Sequence, residues 1–353
     1  MLDVVANHSS YYASPDFSNI YPFNNASYYH PDCPIANWND QWQVENCWLS
    51  GLPDHDQNNT YVKNYLLNWV HNVVQSYGFD GIRIDTIPEV PAWFWSEYNT
   101  ASNTFQMGEC FNGDPTYVAQ YQGPVTSLFN YPMFFKIQDV WIWNHSMYEI
   151  RTLYQQEDAV FQNVDILGSF MDNHDNARFL SHTNNIAAFK SAITFAMTAS
   201  GIPFFYYGDE QMFNGGNDPA NRESLWNAMN TNADVYKYVA TINKARKAAQ
   251  IWNYPYVERY VLDHFFAFSK GPMMVMTTNS LATVNVQMPY LPWTAGTVVC
   301  NVFWPTQDCQ TVTSSGFNAV LLNGEAKIFL PQSYLPLGEI LEPHEVDFEW
   351  IEQ

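Results

Sequence analysis

The chain has 353 residues, 47% hydrophobic and 17% aromatic, enough to bury the core of one large domain and a small one. Its net charge of −21, with 14 Lys and Arg against 35 Asp and Glu, argues against nucleic acid and anionic membrane surfaces as partners. No run of eighteen apolar residues is present, so no membrane-spanning helix is expected, and Met1 opens on a strand-like run rather than a signal peptide.

Residues 2–6 form the first expected strand, short and apolar. Residues 8–55 lack periodicity and are rich in Asn, Asp, Pro, Tyr and Trp; the stretch is too long for an ordinary loop and reads as an inserted subdomain. The spacing of Val62, Tyr65, Leu66, Trp69, Val70, Val73, Val74 and Tyr77 predicts a helix from Asn59 to Tyr77, stopped by Gly78. A strand follows around Gly81–Ile84, then a helix near Pro91–Thr100 and a strand at Thr104–Gly108. Further strands are expected near Val125–Phe129, Leu167–Met171 and Ile202–Tyr206, with a helix at Asn185–Ala199 among the intervening ones. This alternation predicts an α/β fold whose parallel strands, six from Met1 onward, close as a barrel. A helix at Ala233–Ala249 ends the α/β part, and from about Trp252 the pattern changes to short strands with Pro and Gly turns.

Four segments end such runs with a charged or imidazole side chain: DVVANH (Asp3–His8), GIRIDT (Gly81–Thr86), MGEC (Met107–Cys110) and MDNHDN (Met171–Asn176). A parallel barrel builds its active site from groups at the carboxyl ends of several strands, and Asp85, Glu109 and Asp175 come from three different runs. Carboxylates so placed suit glycoside hydrolysis, in which one attacks the sugar and another protonates the leaving oxygen. Arg83, two residues before Asp85, shares its strand face and would hold that carboxylate ionised; apolar Met107 and Phe111 flank Glu109, as suits an acid. A single Arg–Asp pair or a single loop Glu is more often structural, so the assignment rests on the set.

The ordered segments resemble the four signature regions of the α-amylase family of glycoside hydrolases, and GGNDPANRESLW (Gly215–Trp226) resembles its fungal secreted members. The resemblance implies a (β/α)8-type TIM barrel lacking its first two βα units (1–7 and 56–250), an inserted loop domain (8–55) and a C-terminal antiparallel β domain (251–353). It implies endo-hydrolysis of α-1,4-glucosidic bonds in starch or glycogen with retention. Asp85 would be the nucleophile, Glu109 the acid/base and Asp175 the transition-state stabiliser. His8, Arg83, His174, Asp218 and Arg222 would bind substrate. The expected cofactor is calcium, held by Asn7, Glu45, Asp54 and Glu89, with Glu45 and Glu89 offering backbone carbonyls. Cys33 and Cys47 match the family's loop-domain disulfide, which with sequons at Asn7, Asn25, Asn58 and Asn144 implies a secreted or lumenal protein; a monomer acting on α-1,4-glucan is the expected form. Cys300 and Cys309 suit either a hairpin bond or two free thiols, leaving Cys110 over beside Glu109 and open to oxidation. The family's Lys-His after the nucleophile motif is replaced by Pro88-Glu89, implying weaker leaving-side binding and an altered product pattern. Two other readings stay open: a 4-α-glucanotransferase on the same scaffold, and an inactive or purely binding relative.

Overall fold

The structure, a computed structural model, describes residues 1–10 and 16–335, so part of the 8–55 insertion and the end of the 251–353 segment lie outside the described residues. The chain forms two compact units, Met1–Phe135 with Thr152–Ser169, and Lys136–Arg151 with Phe170–Gln353.

In the first unit, β1 (Leu2–Val4), β2 (Gly81–Ile84), β3 (Phe105–Gly108) and β4 (Ser127–Leu128) make a parallel sheet in sequence order. Leu2 faces Ile82, Ile82 faces Gln106 and Met107 faces Ser127. A fifth strand, β5 (Gly168–Ser169), continues it through a parallel bridge from Gly168 to Phe129. Parallel neighbours require crossovers. The long loop carrying α1 (Gln41–Asn46), then α2 (Thr60–Tyr77), leads from β1 to β2; α3 (Ala92–Ser102) and α4 (Pro115–Ala119) supply the next two crossovers.

Helix α2 begins where the Asn59 side chain accepts from the amides of Tyr61 and Val62. It ends at Gly78, whose φ of 65° lets its N–H close onto the Val74 carbonyl. Val62, Leu66, Val70 and Val74 are buried at four-residue steps against Ile82, Ile84 and Phe94. The buried stripe is narrower than the periodicity implies, since Tyr77 on the same predicted face is exposed. Between β1 and α2, short 3₁₀ turns and a Cys33–Cys47 disulfide hold a segment whose Phe23 and Tyr29 join the core, and it returns beside the end of β1 where the His55 amide donates to the Asn7 carbonyl at 2.7 Å.

Helices α5 (Tyr131–Trp141) and α6 (Tyr148–Val160) lie between β4 and β5 in the chain. The second unit then carries α7 (Phe179–His182), α8 (Ile186–Thr198), β6 (Ile202–Pro203) and α9 (Asp234–Ala249). Eight antiparallel strands follow: β7 (Tyr256–Leu262), β8 (Phe265–Lys270), β9 (Met273–Thr277), β10 (Val284–Met288), β11 (Val298–Asn301), β12 (Cys309–Thr311), β13 (Phe317–Leu321) and β14 (Lys327–Pro331). Six form one sheet in the order β12-β11-β14-β9-β8-β7, and β10 pairs with β13. Strands β8 and β9 are buried throughout because both faces are covered. Phe265, Ala267, Met274 and Met276 meet Val286, Met288 and Phe317 on one face, while Phe266 and Phe268 meet Phe195 of α8 on the other. Cys300 and Cys309 are disulfide-bonded across β11–β12, which resolves the alternatives at that pair. Cys110 is fully buried and burial pushes its thiol well up, so the expected susceptibility to oxidation is corrected: the thiol is shielded and protonated.

Candidate active site

Strand ends set the first cluster. The Asp85 amide donates to the Val4 carbonyl at 3.0 Å and the Glu109 amide to the Ile84 carbonyl at 2.7 Å, so each carboxylate leaves the sheet just past the strand that carries it. Arg83 lies between them. Its Nη1 donates to Asp85 Oδ1 at 2.5 Å and to Asp3 Oδ1 at 3.0 Å; its Nη2 donates to Glu109 Oε2 at 2.8 Å. Burial would lower the guanidinium pKa, but the charges of Glu109, Asp85 and Asp3 carry it well above its ordinary value, and it stays a permanent cation.

Tyr131, at the start of α5, donates its hydroxyl to Glu109 Oε1 at 2.9 Å. Glu109 is therefore flanked by a cation and a phenol, where the sequence suggested apolar neighbours: Met107 is buried, but Phe111 is exposed and presents its ring to Tyr131. Thr86 holds a φ of 52°, a left-handed conformation that costs a β-branched residue energy, and it points its amide toward Glu109 Oε2 at 3.5 Å. Beyond β1, His8 is partly buried; burial lowers its pKa against the opposing pull of Asp85, which favours the neutral ring.

Asn7, Asp54 and Glu89 meet below this cluster. Asn7 Oδ1 faces Asp54 Oδ1 at 2.7 Å and the Glu89 carbonyl at 3.3 Å, while its amide nitrogen turns to His8 Nδ1 at 3.3 Å. Three oxygens without a proton among them repel unless the amide turns over or a hard cation sits between them. Burial pushes Asp54 up to about 7 even with His30 Nδ1 at 2.8 Å. The Glu89 side chain is also buried, and burial moves it up to about 8. Glu45 lies in α1 with its carboxylate accepting from Gln41 Nε2 at 2.9 Å; the same nitrogen donates to the Pro88 carbonyl at 3.0 Å, tying α1 to the loop that carries Glu89. A separate set of ligand type, Asp139, His145 and Glu149, stands in the second unit. There Lys136 Nζ already donates to Asp139 and Glu149 at 2.8 and 2.9 Å, so a metal would have to displace an ammonium.

The second unit groups the other predicted residues. His174 Nε2 is 3.2 Å from Asp175 Oδ2, and Arg222 reaches Asp175 Oδ1 at 3.2 Å, the His174 carbonyl at 3.0 Å and Asp218 Oδ1 at 2.7 Å. Two residues missing from the expected set shape this loop. Asn173 Oδ1 accepts from the amides of Asp175 and Asn176, both at 3.0 Å. Asn221, fully buried, donates to the carbonyls of His174 and Asn176, both at 2.8 Å. Beneath them Arg178 is completely buried, paired with Asp209 at 2.9 Å and Glu223 at 2.8 Å and stacked over Tyr206. Tyr131 follows a predicted strand end, and Asn173 and Asn221 each lie inside a quoted motif, so position hinted at all three; nothing local marks Arg178.

Comparison with known proteins agrees on one family. A model of the α-amylase catalytic domain matches residues 1–256. An α-amylase of Saccharomycopsis fibuligera is 33% identical over 95% of this chain and 70% of its own length, and α-amylase 1 of Schwanniomyces occidentalis is 32% identical over 95% and 68%. Among solved structures, an α-amylase from Malbranchea cinnamomea superposes with a TM-score of 0.90 at 32% identity, over 95% of this chain and 74% of that one. An α-amylase from Geobacillus thermoleovorans complexed with acarbose gives 0.81 at 28%, over 93% and 76%.

Proposed function

The chain belongs to the α-amylase family of glycoside hydrolases, and from that premise we propose that it cleaves internal α-1,4-glucosidic bonds of starch or glycogen with retention of configuration. The observation that carries this is the Arg83 bridge: one guanidinium spans Asp85 and Glu109. Two carboxyls within that span favour the retaining separation of about 5–5.5 Å over the inverting one of about 6.5–9.5 Å.

In the first step an Asp85 oxygen bonds to the anomeric carbon as the glycosidic bond breaks, and Glu109 gives its proton to the departing oxygen. Forming the ester removes the Asp85 charge, which favours the carboxylate form of Glu109 when it must take a proton from water. That water adds to the anomeric carbon and frees Asp85. Asp175, by its motif, would stabilise the positive charge on the sugar, with His8 and His174 donating to hydroxyls and Asp218 and Arg222 holding the glucan further along. The buried clamp from Asn221 supports a fixed position for the His174–Asp175 turn.

Calcium fits the oxygens of Asn7, Asp54 and Glu89, with the Glu45 carbonyl as a fourth donor implied by the family. When bound it would supply structural anchorage of the 8–55 loop domain to the strand ends. Strands β1 to β6 would be the third to eighth of the family's barrel, followed by a C-terminal domain over 251–353. The two disulfides and the exposed sequons at Asn25, Asn58 and Asn144 support a secreted or lumenal protein; Asn7 is buried, which argues against a glycan there. Among the described residues no helix is long and apolar enough to cross a membrane.

The test is soluble starch digestion with product analysis, comparing the parent with Asp85→Asn and Glu109→Gln. Both substitutions are expected to lower kcat by on the order of a thousandfold or more. Retained activity in either would remove its assigned role. Pro88→Lys is expected to change the distribution of short maltooligosaccharides, and an unchanged distribution would free Pro88 of any part in leaving-side binding.

A further inference from the structure

The loop that carries His174 and Asp175 runs from β5 to α7, and its base holds ionisable groups that the reaction does not use. Asp172 begins the loop and is buried. Both of its oxygens accept from the Phe179 amide at the start of α7, at 2.8 and 3.0 Å, so one side chain ties the two ends of the loop together. Arg178, the last residue before α7, is anchored three times: its amide donates to the Gly215 carbonyl at 3.1 Å, its Nη1 to Asp209 Oδ1 at 2.9 Å and its Nε to Glu223 Oε2 at 2.8 Å. Asp209, in the 3₁₀ turn Asp209–Gln211 after β6, is buried too, and its side chain is hydrogen-bonded to that of Asp172.

That last bond has a chemical requirement. Ionised carboxylates only accept, so a bond between Asp172 and Asp209 exists only if one of them carries a proton. Asp209 Oδ2 is enclosed with no N–H or O–H group to meet it, and a proton there satisfies it. The local charge balance agrees. Three carboxyls, Asp172, Asp209 and Glu223, face one guanidinium, while Tyr206 and Tyr207 lay neutral rings against Arg178. Burial would raise Glu223, but bonds from Arg178 and the Gly215 amide hold it below the ordinary range. Burial pushes Asp172 and Asp209 up, and the charge of Asp172 pushes Asp209 further. We propose that Asp172 and Asp209 are positioning residues that share one proton, and that this proton holds the His174–Asp175 loop in its working place; the second clause rests on the glucan-hydrolase reading above. Losing the proton sets two buried carboxylates against each other at the base of a loop that must keep Asp175 fixed against the sugar.

The test compares the parent with Asp209→Asn, whose amide can accept from Arg178 and donate to Asp172 at every pH, a permanent copy of the protonated acid. The infrared difference spectrum, parent minus Asp209→Asn near neutral pH, should show a protonated-carboxyl stretch. Above the ordinary Asp value of 3.8 the folded pair keeps a proton that the unfolded chain has released. The parent's folding equilibrium constant should therefore fall as pH rises towards the raised folded value, by up to about tenfold per pH unit for one proton, and Asp209→Asn should remove that fall. Asp209→Ala should lower kcat on maltoheptaose by about tenfold or more while changing KM by less than about twofold, and Asp209→Asn should return most of the loss. Absence of the stretch, or a stability profile in Asp209→Asn parallel to the parent's, overturns the shared proton. Asp209→Ala with the parent's kcat, or Asp209→Asn as impaired as Asp209→Ala, overturns the positioning role. Should Asp209→Ala not fold, the Asp209→Asn comparisons still decide. If the parent shows the stretch and the pH dependence but digests no starch, the hydrolase reading falls and the shared proton stands.

Discussion

Arg83 concentrates the energetics of the first cluster. A cation with a mostly buried side chain is tolerable only because Asp3, Asp85 and Glu109 surround it, and those carboxylates stay close together only because the guanidinium separates them. Arg83→Met should therefore cost about 3–5 kcal/mol of stability by denaturant titration and depress kcat strongly. Arg83→Lys should not restore activity, because an ammonium is a point charge and cannot span two carboxyls. Glu157 gives a pH-dependent case away from the site. It is buried in α6, and burial pushes its carboxyl up to about 8 from 4.5. Its folded-state pKa lies above the unfolded one, so its contribution to stability is fully present below about pH 4.5 and is lost as pH rises through about 8. Glu157→Gln should flatten the fall in stability across that window, measured as the difference from the parent; an identical pH profile would contradict it. At this scale the sequence was legible wherever a side chain's direction follows from its own strand, as with Arg83 and Asp85 two residues apart. Tyr131 and Asn221 stand at positions the motifs and strand ends hint at, but their partners are distant in the chain and no local pattern names them.

The elements explain why the site sits where it does. Each carboxylate cluster follows a strand of only two to four residues, so the motif lies at or just past the strand end: GIRIDT holds all of β2, MGEC the last two residues of β3, and MDNHDN starts two residues after β5. That is why the motifs were readable while strand ends were uncertain by a residue or two. Gly108, just before Glu109, is required by close approach: a Cβ there would lie 2.6 Å from Ile87 Cγ1. Helix α2 was legible because cap, stripe and stop agree, and Asn59→Ala should cost about 1 kcal/mol. The β8 and β9 strands were less so, since burial on both faces erases alternation. Cys300→Ser combined with Cys309→Ser should lose about 2–3 kcal/mol by the loop-closure argument. A loss near zero would mean that the backbone bonds of Trp304 to Asn301, Gln307 and Asp308 hold the hairpin alone.

At the scale of the whole molecule, the charge of −21 leaves few cations to balance the acidic groups, and a divalent ion among Asn7, Asp54 and Glu89 would relieve part of that repulsion. Chelation should lower the melting temperature and added calcium restore it. At a concentration a hundred times Kd the ion would stabilise the fold by about 2.7 kcal/mol; a melting temperature indifferent to both treatments would argue against the site. The composition argues against nucleic acid and anionic membrane surfaces but is silent on sugar, which enters only through the carboxylate motifs. The central claim is double displacement by Asp85 with Glu109 as acid and base, and its most direct measurement is the anomeric configuration of the first product, followed by proton NMR during digestion of a maltooligosaccharide. With retention the α-anomer appears first and mutarotates afterwards, and Asp85→Asn gives on the order of a thousandfold less product or lower. Initial release of the β-anomer, or turnover by Asp85→Asn at the parent's rate, would contradict it.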